Sequence, residues 1–261
     1  MSSTGKISVE ISTLPKFQHP KLICGLPGSG FVGKLAVDFI IDKLKAKQFA
    51  SIYSTSFPPQ VSVQPDGTVD LVKNSLYYCQ TSGQDLILLT GDAQPVSAQG
   101  EYALGEKIIE LCKKMNVTEI YTLAAYITGK FSKIPKVYGT GTTPEIVNEF
   151  SKFGISKMDK GNITGMNGVI IGIAKRSSIS GICLLGETSG YVIDAKASKV
   201  ILESLCKILN IKFDMSELEK RAKDTEEIIG ALRSQATAQG IQDQPVTAPS
   251  GSDEKNLGYI S

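Results

Sequence analysis

Three stretches of this chain carry residue types and spacings from which ligand chemistry could be built. In the first, Gly28, Gly30 and Gly33 satisfy the dinucleotide spacing G-x-G-x-x-G, and the run from Gly28 to Lys34 satisfies most of a P-loop. Either pattern would serve a phosphate, and each breaks where the chemistry depends on it. Leu35 stands where a P-loop needs a hydroxyl for magnesium, and the next strand, Ala50 to Ser54, has no acidic residue for a ribose. A tight turn and close helix-to-strand packing account for the glycines without a ligand. The other stretches are Gly91-Asp92-Ala93-Gln94-Pro95 and Gly186-Glu187-Thr188-Ser189-Gly190. Loops beyond the carboxyl ends of strands form the ligand crevice of an open α/β sheet, so all three could converge there. Asp92 and Glu187 would then supply a carboxylate pair for acid–base work, with Ser189 as a hydroxyl. The same carboxylates can instead cap helices or close loops by bonding backbone amides, and that structural role is the expectation.

Composition removes other chemistries. His19 is the only histidine and precedes the first core strand, and no two of the five cysteines have metal-ligand spacing. Neither a metal site nor a histidine-based nucleophile is expected, and no cofactor is implied. The cysteines lie in apolar strands or helices, as buried thiols of a reducing compartment do, which points to the cytoplasm. A formal charge of +2, with 41% hydrophobic and 21% charged residues, argues for a soluble globular protein without a nucleic-acid or membrane surface. Apolar runs such as Val169 to Ala174 are too short to span a bilayer, and the first residues lack the layout of a secretory signal.

The elements that must position these residues follow from hydrophobic periodicity. Lys21 to Gly25 predicts a strand and Phe31 to Lys45 a helix, whose Phe31, Leu35, Phe39 and Val32, Ala36, Ile40 rows make one apolar face. Ala50 to Ser54 and Leu76 to Cys79 predict strands. Between them Val61 to Val72 predicts a hairpin about Pro65-Asp66-Gly67, taken as the source of antiparallel pairing in the sheet. Asp85 to Thr90, Glu119 to Ala125 and Gly181 to Leu185 read as buried strands. Helices are expected over Ser97 to Met115, from Pro144, over Asn162 to Lys175, Ala195 to Leu209 and Met215 to Arg233. Gly129 and the run Tyr138 to Thr143 read as loop, and the residues before His19 as a polar start. Alternating strands and helices predict an α/β fold with a mixed, mainly parallel sheet between helices, in one domain over residues 1–233. Residues 234–261 read as a disordered tail. It ends in Leu257-Gly258-Tyr259-Ile260-Ser261, whose apolar residues suit a tethered docking tip.

Several of these segments, in order, resemble one family, the PAC2-type proteasome assembly chaperones, and its archaeal members in particular. They are Gly25 to Lys34, Thr90 to Pro95, Gln99-Gly100-Glu101-Tyr102, and Leu184 to Tyr191 with the helices after it, together covering Lys21 to Ile229. The resemblance implies a three-layer α/β/α sandwich like that of nucleoside phosphorylases, used as a binding scaffold without catalysis. It implies homo-oligomers, with or without a related chaperone, that bind proteasome α-subunits or the 20S particle. Family members can end in a hydrophobic–tyrosine–any motif that docks between α-subunits. This chain departs from it: Tyr259 is third from the end, Ile260 is penultimate, and Gly258 stands in the hydrophobic position. Leu257 to Ser261 are the expected partner-binding residues. Gly28, Gly30, Gly33, Asp92 and Glu187 are the possible ligand site, the alternative being a nucleotide- or nucleoside-binding enzyme on the same scaffold.

Overall fold

A computed structural model describes residues 6–81, 83–224 and 259–260. Nine strands form one sheet in the order β1-β3-β6-β7-β2-β8-β12-β9-β10. They are β1 (Ile7–Ile11), β2 (Lys21–Cys24), β3 (Lys47–Ser54), β6 (Asn74–Thr81), β7 (Gln84–Gly91), β8 (Glu119–Ile127), β9 (Val137–Gly141), β10 (Ser156–Lys157) and β12 (Ser180–Thr188). The four central strands β7, β2, β8 and β12 run parallel. Antiparallel pairs β1–β3, β3–β6 and β6–β7 build one flank, and β9 joins β12 antiparallel on the other before pairing parallel with β10. The sheet is therefore mixed but not mainly parallel as expected: it has four parallel and four antiparallel pairings, and three of the parallel ones lie together at its centre.

Helices cover both faces. On one face lie α2 (Ala98–Lys114) and α4 (Gly165–Arg176); on the other lie α1 (Val32–Lys43) and α5 (Ala195–Leu209), with α3 (Pro144–Ser151) beside them. Alternation within the strands assigns the sides. Leu22 and Cys24 of β2 face Leu104, Ile108 and Ile170, while Ile23 faces Ala36, Ile40 and Leu205. Strands buried on both faces need continuous apolar runs, and Leu86, Ile87, Leu88 and Leu89 of β7 are completely buried. Caps start three helices: Ser97 accepts from Gly100 N, Thr143 from Ile146 N, and Asp194 from Ala197 N. The last helix begins at residue 216 and is described to residue 224, burying Leu218 and Ala222; the expected extension to Arg233 lies outside the described residues.

Three further expectations are corrected. The hairpin is real, as β4 (Val61–Val63) and β5 (Val69–Leu71), but it stands alone as a two-stranded ribbon. The antiparallel character comes instead from β1, β3, β6 and β9. The supposed polar start contains β1, an edge strand whose Ile7 and Val9 pack on the core. The run Tyr138 to Thr143 is largely strand β9. Its glycines are packing positions: a Cβ on Gly139 would meet Ile155 and the Phe150 ring at 2.8 and 2.9 Å, so α3 can lie directly on the strand.

Candidate functional site

Because β2, β7, β8 and β12 are parallel neighbours, the loops after them meet at one face. Gln94 ties it together: its Nε2 donates to the Pro27 carbonyl and its Oε1 accepts from Met166 N at 2.8 Å, joining the loops after β2 and β7 to the start of α4. On the other side Asp194 N donates to Gly30 O at 2.8 Å, and Ser198 Oγ donates to Val32 O at 2.9 Å. The glycine turn thus joins the segment after β12, and the three loops do converge.

The glycines are explained by packing and turn geometry. A Cβ on Gly33 would be driven into the carbonyl of Leu123, and one on Gly25 into the carbonyl of Gly33. Backbone thus meets backbone where α1 crosses β2 and β8. Gly30 has φ +63° within a 3-10 turn over Ser29–Phe31, the left-handed region that costs a side chain energy. Gly28 is fully extended, which any residue could adopt. Lys34, the would-be phosphate lysine, is committed elsewhere: Nζ lies 2.9 Å from Asp38 Oδ2, and Thr90 Oγ1 donates to Asp38 Oδ1 at 2.6 Å.

Asp92 and Glu187 are not brought together. Strands β2 and β8 lie between β7, which precedes Asp92, and β12, which contains Glu187. Three inter-strand steps of about 4.8 Å put roughly 14 Å between the two places. Each carboxylate instead brackets a neighbouring chain. Lys73 N donates to Asp92 Oδ2 at 3.0 Å while Asp92 N donates to Lys73 O at 2.9 Å. Lys136 N donates to Glu187 Oε2 at 3.0 Å while Glu187 N donates to Lys136 O at 2.9 Å. The geometry offers no shared-proton pair. Ser189 is buried, and its Oγ accepts from Tyr191 N at 3.4 Å. Glu187 also borders the stacked rings of Tyr126 and Tyr138, whose centroids are 4.2 Å apart. Burial first, and then the Glu187 charge, push the Tyr138 hydroxyl above its usual range.

What these loops display is apolar. Phe31 after β2, Val96 after β7, Phe131 and Ile134 after β8, and Tyr191 and Ile193 after β12 are all exposed, Ile134 by 83%. Phe31 is also held at φ +52°, a conformation costly for a bulky residue. Exposed aromatic and aliphatic side chains gathered at one end are features of a protein-contact surface more than of a nucleotide crevice. The sequence gives little warning of it, since these residues are scattered singly over 160 positions and meet only through the parallel sheet.

The C-terminal segment reaches this same end. β11 (Asn162–Ile163) leads into α4, whose first turn Gln94 holds. β11 pairs in parallel with β13 (Tyr259–Ile260), in the register Asn162 with Tyr259 and Ile163 with Ile260. β13 also lies against β8. Leu257, Gly258 and Ser261 lie outside the described residues, as does the rest of the expected tail up to Asn256. Among the described residues no group of three or more His, Cys, Asp or Glu is placed to hold a metal, and no helix is long and apolar enough to cross a membrane.

Comparison with known proteins adds to this geometry. The profile of the PAC2 family matches residues 22–233. An uncharacterised protein of Methanocaldococcus jannaschii, MJ1210, is 36% identical over 228 residues, spanning 87% of this chain and 88% of the relative. Among solved structures, Pyrococcus furiosus PbaB, described as an archaeal proteasome activator, superposes with a TM-score of 0.83 at 34% identity, covering 87% of this chain and 98% of that one. P. furiosus PbaA, described as an archaeal homolog of proteasome-assembly chaperone, gives a TM-score of 0.74 at 26% identity, covering 89% of this chain and 94% of the other.

Proposed function

This chain belongs to the PAC2 family, and on that premise we propose that it is a proteasome assembly chaperone that binds proteasome α-subunits without catalysing a reaction. The observation that carries the reading is the PbaB likeness, 34% identity at a TM-score of 0.83 over 98% of a proteasome activator. The strand-end face supports it, because its loops hold Asp92 and Glu187 in backbone brackets and present apolar side chains outward.

In this reading the protein works in the cytoplasm as a homo-oligomer, alone or with a related chaperone. The β4–β5 ribbon supports self-association. Val61 pairs with Leu71 and Val63 with Val69, so all four side chains lie on one face, and each is at least 50% exposed. A two-stranded ribbon is marginal in water by itself, and a second copy would cover that face. The C-terminal segment Leu257 to Ser261 is one contact to the α-subunits, and several such segments on one oligomer raise avidity through effective concentration.

The test is binding of the full-length chain, and of a chain ending at Asn256, to purified 20S particles and to free α-subunits from the same source. Loss of binding on truncation, with fold and oligomer intact, supports docking through the C-terminal segment. Equal binding by both chains moves the interface onto the folded domain. Absence of binding by either removes the reading. A preference for free α-subunits marks an assembly factor, and a preference for finished particles marks an activator.

A further inference from the structure

We propose that the strand-end face is a peptide-binding site for the chain's own C-terminal segment, with β11 as its receptor. Strand β11 belongs to no other sheet: among the described residues its one pairing is with Tyr259–Ile260. An unpaired strand edge presents a row of backbone donors and acceptors, and adding an extended peptide to it is a general mode of peptide capture.

The receptor strand is fixed rather than free to follow its guest. A Cβ on Gly168 would be driven into the Ile163 carbonyl, so α4 packs directly on the β11 backbone. Ile163 packs on the core cluster. Gln94 holds the first turn of α4 by accepting from Met166 N. Four residues beyond β11, in that same first turn of α4, Asn167 is 2% exposed, and its Oδ1 has no hydrogen-bond partner among the described residues. The connection imposes no obstacle. The 34 residues between Asp224 and Tyr259 could reach about 110 Å fully extended, far more than a domain of this size is wide.

The consequence for activity rests on the docking role proposed above. Tyr259 and Ile260 cannot pair with β11 and enter a second protein at the same time. The docked arrangement is therefore a closed state, and a partner that takes the C-terminal segment must first draw it off β11. The energetic cost of that withdrawal lowers the apparent affinity by the fraction of molecules that are open.

The experiment is amide hydrogen exchange on the full-length chain and on the chain ending at Asn256. At residues 162–164 we expect exchange about tenfold or more slower in the full-length chain. A synthetic peptide of residues 249–261 added to the truncated chain should restore the protection. The same peptide N-methylated at Tyr259 and Ile260, which cannot donate from those amides, should not. Equal exchange in the two chains overturns the inference, and equal rescue by the methylated peptide overturns backbone pairing. Protection lost on dilution overturns docking within one chain in favour of exchange between copies. Adding 20S particles to the full-length chain should release the protection. Particles that bind while protection persists overturn the closed-state role. Particles that bind neither chain refute the proposed function and leave the β11 site standing on its exchange data.

Discussion

Gly33 has no room for a side chain, because the nearest atoms to an added Cβ are backbone atoms of Leu123 and cannot rotate away. Gly33→Ala should therefore cost about 3 kcal/mol or more, read as a fall in the urea midpoint, whereas Gly172→Ala, with nothing within 4 Å of its Cβ, should raise stability slightly through helix propensity. The fingerprint spacing thus preserves a crossing of helix and strand. The carboxylates behave likewise. Glu187→Ala removes the acceptor of the exposed Lys136 N, which water can then satisfy, and should cost about 0.5–1.5 kcal/mol, with less for the exposed Asp92; neither change should alter a reaction rate, since no reaction is assigned to them. Their structural role was legible in the sequence. Gln94 was not, because its partners lie 67 and 72 residues away, and nothing in Ala93-Gln94-Pro95 announces them. At the opposite end of the sheet, burial opposes ionisation of Glu119. Lys21 Nζ at 2.8 Å and the Tyr121 hydroxyl at 2.7 Å outweigh it and hold the carboxyl below its usual range. A depressed carboxylate contributes stability that is present above its unfolded value, about 4.3, and is lost as pH falls through the folded value. Glu119→Gln should flatten the acid side of the stability curve below that pH while leaving its neutral slope unchanged, as measured by denaturant titrations across pH.

The elements most readily read from the sequence were those whose pattern is local and unbroken. The strand at Asp85 to Thr90 and the helices over α2 and α5 have runs or periodicities that admit one reading, and the structure places them within a few residues. Strand β9 was hidden because Tyr138-Gly139-Thr140-Gly141 has turn composition. Its strand character comes from pairing with β12 and from α3 lying on its glycines, neither of which is local. Strand β1 was hidden by its mixed composition, although Ile7, Val9 and Ile11 alternate. The hairpin was read correctly and placed wrongly, because a turn signal says which strands pair with each other and nothing of what they join. Its placement makes a prediction. Val63→Asp with Val69→Asp puts two like charges opposite one another at the more exposed of the ribbon's two apolar pairs. If that face is covered by a second copy, the double variant should shift the protein toward monomer in sedimentation, with the circular dichroism of the domain unchanged; an unchanged oligomer assigns the interface elsewhere.

At the scale of the molecule, one continuous sheet is sealed on both faces, and all five cysteines lie in that interior. Burial pushes the Cys79 and Cys206 thiols up to about 11 and Cys112 and Cys183 to about 12, with Cys24 higher still. Thiolate is the reactive form, so the native protein at pH 8 should be inert to a thiol reagent such as DTNB, and all five groups should react together on unfolding. Early reaction of one would mark a local opening and locate it. The overall architecture, helices on both faces of a mixed sheet, followed from the alternation of elements; the strand order did not, because it is set by pairings across the chain. Strand β2 shows what that order entails. It sits at the centre of the sheet with only four residues, and Lys21 is in register with Leu86 on one side and Glu119 on the other. During synthesis the middle of the sheet must wait for the residues of β8. At roughly 5–20 residues per second, Leu22 and Ile23 spend on the order of ten seconds on the ribosome with no second neighbour, so the nascent chain carries the apolar centre of its own sheet uncovered for that time.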